Sequence, residues 1–269
     1  MAELFTMPFF TRSLVVLIAA GISFPVLGTF VLNLELIAAR FAVMHAALLG
    51  AAIGLLLGVH LSVMAMGAAV LAGIGIALIS YRGKVSAGGS LGLIMTVCMG
   101  LAFIVFYKSN VQAVTAFSLF WGNILSLTGA DVRSGLAVAA GILVFLFACY
   151  KEIHIVLYDR ELAWAVGVRA KLVYGGIILS VCLGIAVAMR ITGALLVDAV
   201  TLLPALAARS IGRSFRALIL LGMLFGLAMN ISGFALSFAL DLPVSSGIAV
   251  VGALAMLVLQ GLKLLRGKS

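Results

Sequence analysis

Charged and metal-ligating side chains are scarce in this sequence, so the few that interrupt its apolar runs carry most of the chemical information. His45 lies just inside an uncharged run and follows Glu35 and Arg40. A neutral imidazole is a good ligand for Zn²⁺ or a related divalent ion. The other readings of His45 are a place in a polar gate or a ring hydrogen-bonded to a helix carbonyl. Asp198 is the only acid deep within an apolar run. A carboxylate there is expensive in a bilayer and usually marks function. It reads as a contact for a passing cation or a gating ion pair, or else as a partner of Arg190 or Arg209 near an interface. Asn230 sits in the middle of a run, while His60 and His154 read as interfacial. The stretch 159–171, with Asp159, Arg160, Glu161, Arg169 and Lys171, is the most charged part of the chain. A short amphipathic helix there can dock on a soluble partner.

The elements that must position these residues are apolar helices. Of 269 residues, 65% are apolar or aromatic and only 9% are charged, against about 25% charged in an average soluble domain. So few charges cannot cover a water-soluble fold of this size. The net charge of +9 is spread thinly between apolar runs, which is not the basic patch of a nucleic-acid-binding protein. The mean hydropathy of +1.35 agrees with a polytopic membrane protein. Uncharged runs cover 13–34, 41–81, 85–107, 109–130, 134–150, 172–189, 217–240 and 242–262. The run 41–81 is too long for one crossing at about 1.5 Å per residue, so it should turn near Gly58-Val59-His60. Residues 191–208 form a further apolar stretch broken only by Asp198. The result is eight expected spans and two further segments, 112–130 and 191–208, that are either full spans or re-entrant. The first run suits a retained span better than a cleaved signal.

Orientation follows from Lys and Arg in short loops. Ten crossings with the N-terminus inside put Arg12, Lys108, Lys151, Arg160, Arg169, Lys171, Arg209, Arg213, Arg216, Lys263, Arg266 and Lys268 inside. Arg40, Arg82, Lys84, Arg133 and Arg190 are then outside. That model requires residues 172–208 to cross twice, or to enter and return. Cys98, Cys149 and Cys182 lie in apolar runs without C-x-x-C spacing and read as buried small hydrophobes. A G-x-x-x-x-G-K phosphate loop, an H-E-x-x-H pair and a G-x-S-x-G elbow are all absent. A transport component is favoured over an intramembrane enzyme.

Several stretches together resemble the membrane permease of zinc/manganese ABC importers. His45-Ala46-Ala47-Leu48-Leu49-Gly50 is similar to that family's S-H-A-x-x-x-G element on the second helix. Leu119-Phe120-Trp121-Gly122-Asn123-Ile124-Leu125 is similar to L-F-G-N-I-L with one insertion. Tyr158-Asp159-Arg160-Glu161-Leu162-Ala163, followed by Gly167-Val168, looks like the family's F-D-x-E-x-A-x-x-x-G-V loop. Thr192-Gly193-Ala194-Leu195-Leu196-Val197, Leu202-Leu203-Pro204-Ala205 and Ala207-Ala208-Arg209 resemble its V-G-x-L-L-V…L-x-P-A-x-x-A-R run, and Asp241-Leu242-Pro243 its late D-L-P turn. The likeness spans nearly the whole chain. It departs from the family at Phe41, where an aspartate one helical turn before the histidine is usual, and at Asp198, where a small residue is usual.

The resemblance implies an all-α polytopic membrane bundle of eight to ten transmembrane helices, a single permease domain over residues 1–269. Its cytoplasmic coupling segment would lie at about 151–171. It implies no enzymatic activity and no cofactor in this chain. Two copies of a separate ATPase, an extracytoplasmic metal-binding protein and a second copy of the permease would be its partners, in the cytoplasmic membrane of a prokaryote. His45, Asp198 and Glu35 are the metal candidates, and Asp159, Glu161, Ala163 and Gly167 the coupling positions. Zn²⁺ is the first cargo expected and Mn²⁺ the second. The alternatives are an iron chelate or cobalamin carried by a similar importer, or a stand-alone channel or secondary carrier, although the inverted repeats common in carriers are not found.

Overall fold

A computed structural model describes residues 8–81, 87–109, 122, 124–193 and 197–266. Eleven α-helices occur among them: α1 (Pro8–Asn33), α2 (Ile37–Leu57), α3 (Leu61–Tyr81), α4 (Ala87–Lys108), α5 (Gly129–Ala148), α6 (Tyr150–Tyr158), α7 (Arg160–Ala165), α8 (Ala170–Thr192), α9 (Val197–Ile211), α10 (Phe215–Ala239) and α11 (Val244–Arg266). No strand occurs among the described residues, and the all-α expectation holds. Seven helices are long and apolar enough to cross a membrane, namely α1, α2, α4, α5, α8, α10 and α11, and Leu61–Ile76 of α3 is a shorter apolar segment. Most of residues 112–130, expected as a doubtful span, and part of the Leu119–Leu125 motif lie outside the described residues.

Turn chemistry ends four of these helices in one way. Residues Glu35, Gly58, Gly167 and Asp241 all have positive φ, between 54 and 81°. The next N–H in each case reaches back five residues, as in Leu36 to Val31, Val59 to Gly54, Val168 to Ala163 and Leu242 to Ser237. This is the Schellman closure, which satisfies carbonyls left open at a helix end. The turn expected at Gly58-Val59-His60 is therefore present, with Gly58 in the left-handed region it favours.

Helix α2 is packed between α3 and α4, while α1 packs on α10, α9 and α5. Close approach relies on small residues. A Cβ added at Gly28 would collide with the Thr201 carbonyl and the Ala205 methyl of α9. One added at Gly226 would collide with Gly21 of α1. Such contacts are typical of helices packed inside a bilayer.

Residue contacts also fix which helix ends share a level. Ser13 of α1 donates to the Ile124 carbonyl at 2.9 Å, just before α5 begins. Asp131 in the first turn of α5 meets Ser62 at the start of α3 and Arg190 near the end of α8. Phe10 meets Phe238 edge to face near the end of α10. At the opposite end, Asn33 shares a cleft with His154, Arg209 and Arg213. Arg12 thus lies at the end of the bundle opposite Lys151, Arg160 and Arg213, which corrects the ten-crossing orientation. Arg40, in the second turn of α2, belongs to the Lys151 half, not to the Arg190 end. Helix α1 starts at one end and α11 finishes at the other, where Lys263 joins Arg209, so the number of passes is odd. Residues 172–208 do run out and back, but the returning helix, α9, has only 15 residues, about 22 Å. The revised arrangement gathers Lys151, Arg160, Arg169, Lys171, Arg209, Arg213, Arg216 and Lys263 at one end and leaves Arg12, Arg133 and Arg190 at the other. Eight basic residues against three still mark the Lys151 end as the cytoplasmic one by the positive-inside rule.

Candidate functional site

Helix α2 is covered by neighbours on most of its circumference. Its half-buried or exposed positions include Ala38, Phe41, Leu49, Ile53 and Leu56. They are spaced three, eight, four and three residues apart and share one stripe, which is covered only in the gap between Phe41 and Leu49. His45 falls on that stripe, 8% exposed. Its Nδ1 lies 2.7 Å from the Phe41 carbonyl. A carbonyl only accepts, so Nδ1 donates in this bond and Nε2 is left for another partner. The hydrogen bond that orients a ligating histidine is thus present. The carbonyl belongs to the histidine's own helix.

Asp198 does not meet Arg190 or Arg209. Its carboxylate pairs with Arg40 of α2. The Arg40 side chain is 1% exposed and that of Asp198 40%, so the guanidinium is the more deeply buried partner. Arg40 also lies over the Phe41 ring, 4.3 Å from its centroid. Arg40 of α2 therefore faces the start of α9, little more than one turn from His45. Glu35 is not brought into this group. It occupies the left-handed position that closes α1, at the α1–α2 turn, about 12 Å along α2 from His45 by helical rise. Among the described residues no three His, Cys, Asp or Glu side chains come together as a metal site.

The segment after α5 is built as a projecting knob. Asp159 caps α7 by accepting from the Glu161 and Leu162 N–H groups at 2.8 and 3.1 Å. Glu161 stands in the first turn of α7, where a negative charge suits the helix dipole. Ala163 is fully buried and turns α7 back against the bundle. Gly167 closes the helix with φ +81° and nothing within 4 Å of an added Cβ, so its backbone and not its size requires glycine. Tyr158, Leu162, Trp164 and Val166 are all exposed. Asp159, Glu161, Ala163 and Gly167, the four positions expected to couple, therefore each have a distinct place in one short motif. His154 stacks on Phe215 at 4.8 Å and lines a cleft of about 370 Å³ beside the knob, with Arg209 and Arg213.

One polar cluster was missed in the sequence. Asp131 Oδ1 accepts from Ser62 Oγ at 2.5 Å, and Oδ2 accepts from Arg190 at 3.2 Å and from the Thr128 hydroxyl at 2.8 Å. The signal available was Thr128-x-x-Asp131 before an apolar run, a capping box that the structure completes in both directions. Asn230 donates to the Leu17 carbonyl at 3.0 Å and so ties α10 to α1.

The family model described as "ABC 3 transport family" matches residues 6–262. The manganese transport system membrane protein MntC of Listeria monocytogenes is 24% identical over 90% of this chain and 86% of its own. The manganese import system permease protein ScaB of Streptococcus parasanguinis is 25% identical over 93% of this chain and 89% of its own. Among solved structures, PsaBC from Streptococcus pneumoniae in complex with Fab superposes with a TM-score of 0.85 at 24% identity. That likeness covers 96% of this chain and 94% of the other.

Proposed function

The chain belongs to the ABC 3 transport family, and from that premise we propose that it is the permease subunit of an ABC importer for a divalent transition metal. In this reading it is a multi-pass protein of a prokaryotic cytoplasmic membrane. It works as a homodimer with two separate ATPase subunits and an extracytoplasmic metal-binding protein. The observation that carries the reading is the capped knob at Asp159–Gly167, which presents Tyr158, Leu162, Trp164 and Val166 at the strongly basic end of the bundle. Apolar and aromatic side chains exposed beyond a membrane bundle need a protein surface to cover them. A soluble ATPase that closes and opens would move this knob and, through it, α6 and α8.

The path runs along the uncovered stripe of α2, where a second copy brings another His45. A lone imidazole from each protomer binds weakly, which suits transit because tight binding would slow release. The relatives' names carry manganese, so Mn²⁺ ranks first and Zn²⁺ second, the reverse of the order expected from the sequence. Mn²⁺ favours oxygen donors, and Asp198, 40% exposed despite its bond to Arg40, is the acid near His45 able to offer one. Uptake of radioactive manganese and zinc into proteoliposomes holding the complete transporter tests this. His45→Ala should cut uptake at least tenfold with assembly intact, and Glu161→Arg should leave the permease inserted but its ATPase uncoupled. Wild-type uptake by both variants would overturn the assignment.

A further inference from the structure

We propose that the cleft between the end of α9 and the end of α11 is a binding site for one anionic phospholipid. The cleft has a volume of about 620 Å³, and Arg209, Arg213 and Lys263 line it together with Ile211, Leu259 and Leu262. No acidic side chain lines it, and among the described residues none of the three cations forms an ion pair. Three unneutralised cations at one end of a span, with leucines beside them, match the shape of a phospholipid: a negative phosphate joined to an apolar chain. Leu254, Val258 and Leu262 are all exposed. They are four residues apart, so they share one face of α11 and offer an acyl chain a track leading away from the cations. Basic pockets between helices at the cytoplasmic level of a membrane are where anionic headgroups bind.

The position gives such a lipid a consequence. Arg209, Gly212 and Arg213 line this cleft and also the smaller one that holds His154 and Tyr158. A phosphate held by Arg209 and Arg213 braces the α9–α10 turn against α6, next to the projecting knob. The site itself rests on the cleft and its charges, and stands whether or not the cargo is a metal.

The test is native mass spectrometry of the purified full chain with phosphatidylglycerol or phosphatidylcholine, beside melting temperatures in the same lipids. Phosphatidylglycerol should be retained selectively and should raise the melting temperature, as a ligand of the folded state does. The triple variant R209Q/R213Q/K263Q should lose on the order of a hundredfold in phosphatidylglycerol affinity, and Lys263→Gln alone about fivefold. Lys263→Gln sits on an exposed last turn and keeps the test valid should the triple variant fold poorly. Equal retention of the two lipids, or unchanged retention in Lys263→Gln, would overturn the proposal. So would displacement of lipid by glycerol 3-phosphate at equal concentration, which would make the cleft a site for soluble phosphate. A change of oligomeric mass in the variants without loss of lipid would make it a subunit interface and would overturn the proposal as well.

Discussion

At Arg40 and Asp198 the two partners of one ion pair are not equivalent. Arg40 is buried to 1% exposure and Asp198 is 40% exposed. Removing the acid strands a guanidinium that has no hydrogen-bond partner among the described residues and keeps only the face of the Phe41 ring. Removing the arginine leaves a carboxylate that can still reach a polar medium. Asp198→Asn should therefore cost about 3 kcal/mol of stability, as breaking a buried pair does, and Arg40→Met clearly less. Thermal unfolding in detergent compares them, and a double Arg40→Met/Asp198→Asn variant should recover most of the loss. If Asp198 also meets the cargo, that double variant folds well and still transports poorly, which separates a structural role from a transport role. Glu35 gives a contrasting expectation. A non-glycine residue in the left-handed region is strained by about 1 kcal/mol, so Glu35→Gly should raise the melting temperature while leaving metal uptake unchanged. Loss of uptake in Glu35→Gly would instead make Glu35 a ligand.

Among the helices, the joint between α1 and α9 holds the most information. Gly28 lets α1 approach the Thr201 backbone, and Gly50 does the same for α2 at Met64 of α3. Gly28→Ala should cost about 1–3 kcal/mol through forced separation of the helices. Because α9 carries both Asp198 and Arg209, the same variant should disturb uptake beyond what its stability loss explains, measured in proteoliposomes at a temperature where it remains folded. The knob behaves differently. Gly167→Ala meets no neighbour but must adopt φ +81°, so the expected cost is about 1 kcal/mol at the end of α7. Hydrogen exchange at Val168, whose N–H closes the turn on Ala163, reads that fraying directly.

For the whole molecule the odd number of passes makes a prediction about sidedness. Single cysteines in a cysteine-free background at Lys151 and Arg213 should label from the cytoplasm. Those at Arg12 and Asp241 should label from outside. Labelling of Arg12→Cys from the same side as Lys151→Cys would restore the ten-crossing arrangement and overturn the one built from Ser13, Asp131 and Arg190.

Composition established that this is a membrane protein, because a chain with 9% charge cannot cover a water-soluble surface, and uncharged runs of about 20 residues made its spans helices and not the short strands of a barrel. Local chemistry was readable in part where it acts within a few residues. The turn at Gly58 follows from the length of its uncharged run and the residue type, whereas Asp159 and Gly167 were picked out by the family resemblance and their roles as cap and left-handed closure came from the structure. What only the tertiary structure decided are the meetings across helices. Arg40 with Asp198 joins residues 158 positions apart, and Asp131 with Arg190 joins residues 59 apart. Nothing in the periodicity of either helix states which faces meet. The direction of α1 was likewise hidden, since one basic residue at its start weighs little in a count of loop charges. The contact of Ser13 with Ile124 settles it, because a hydrogen bond has a fixed length and a charge count does not.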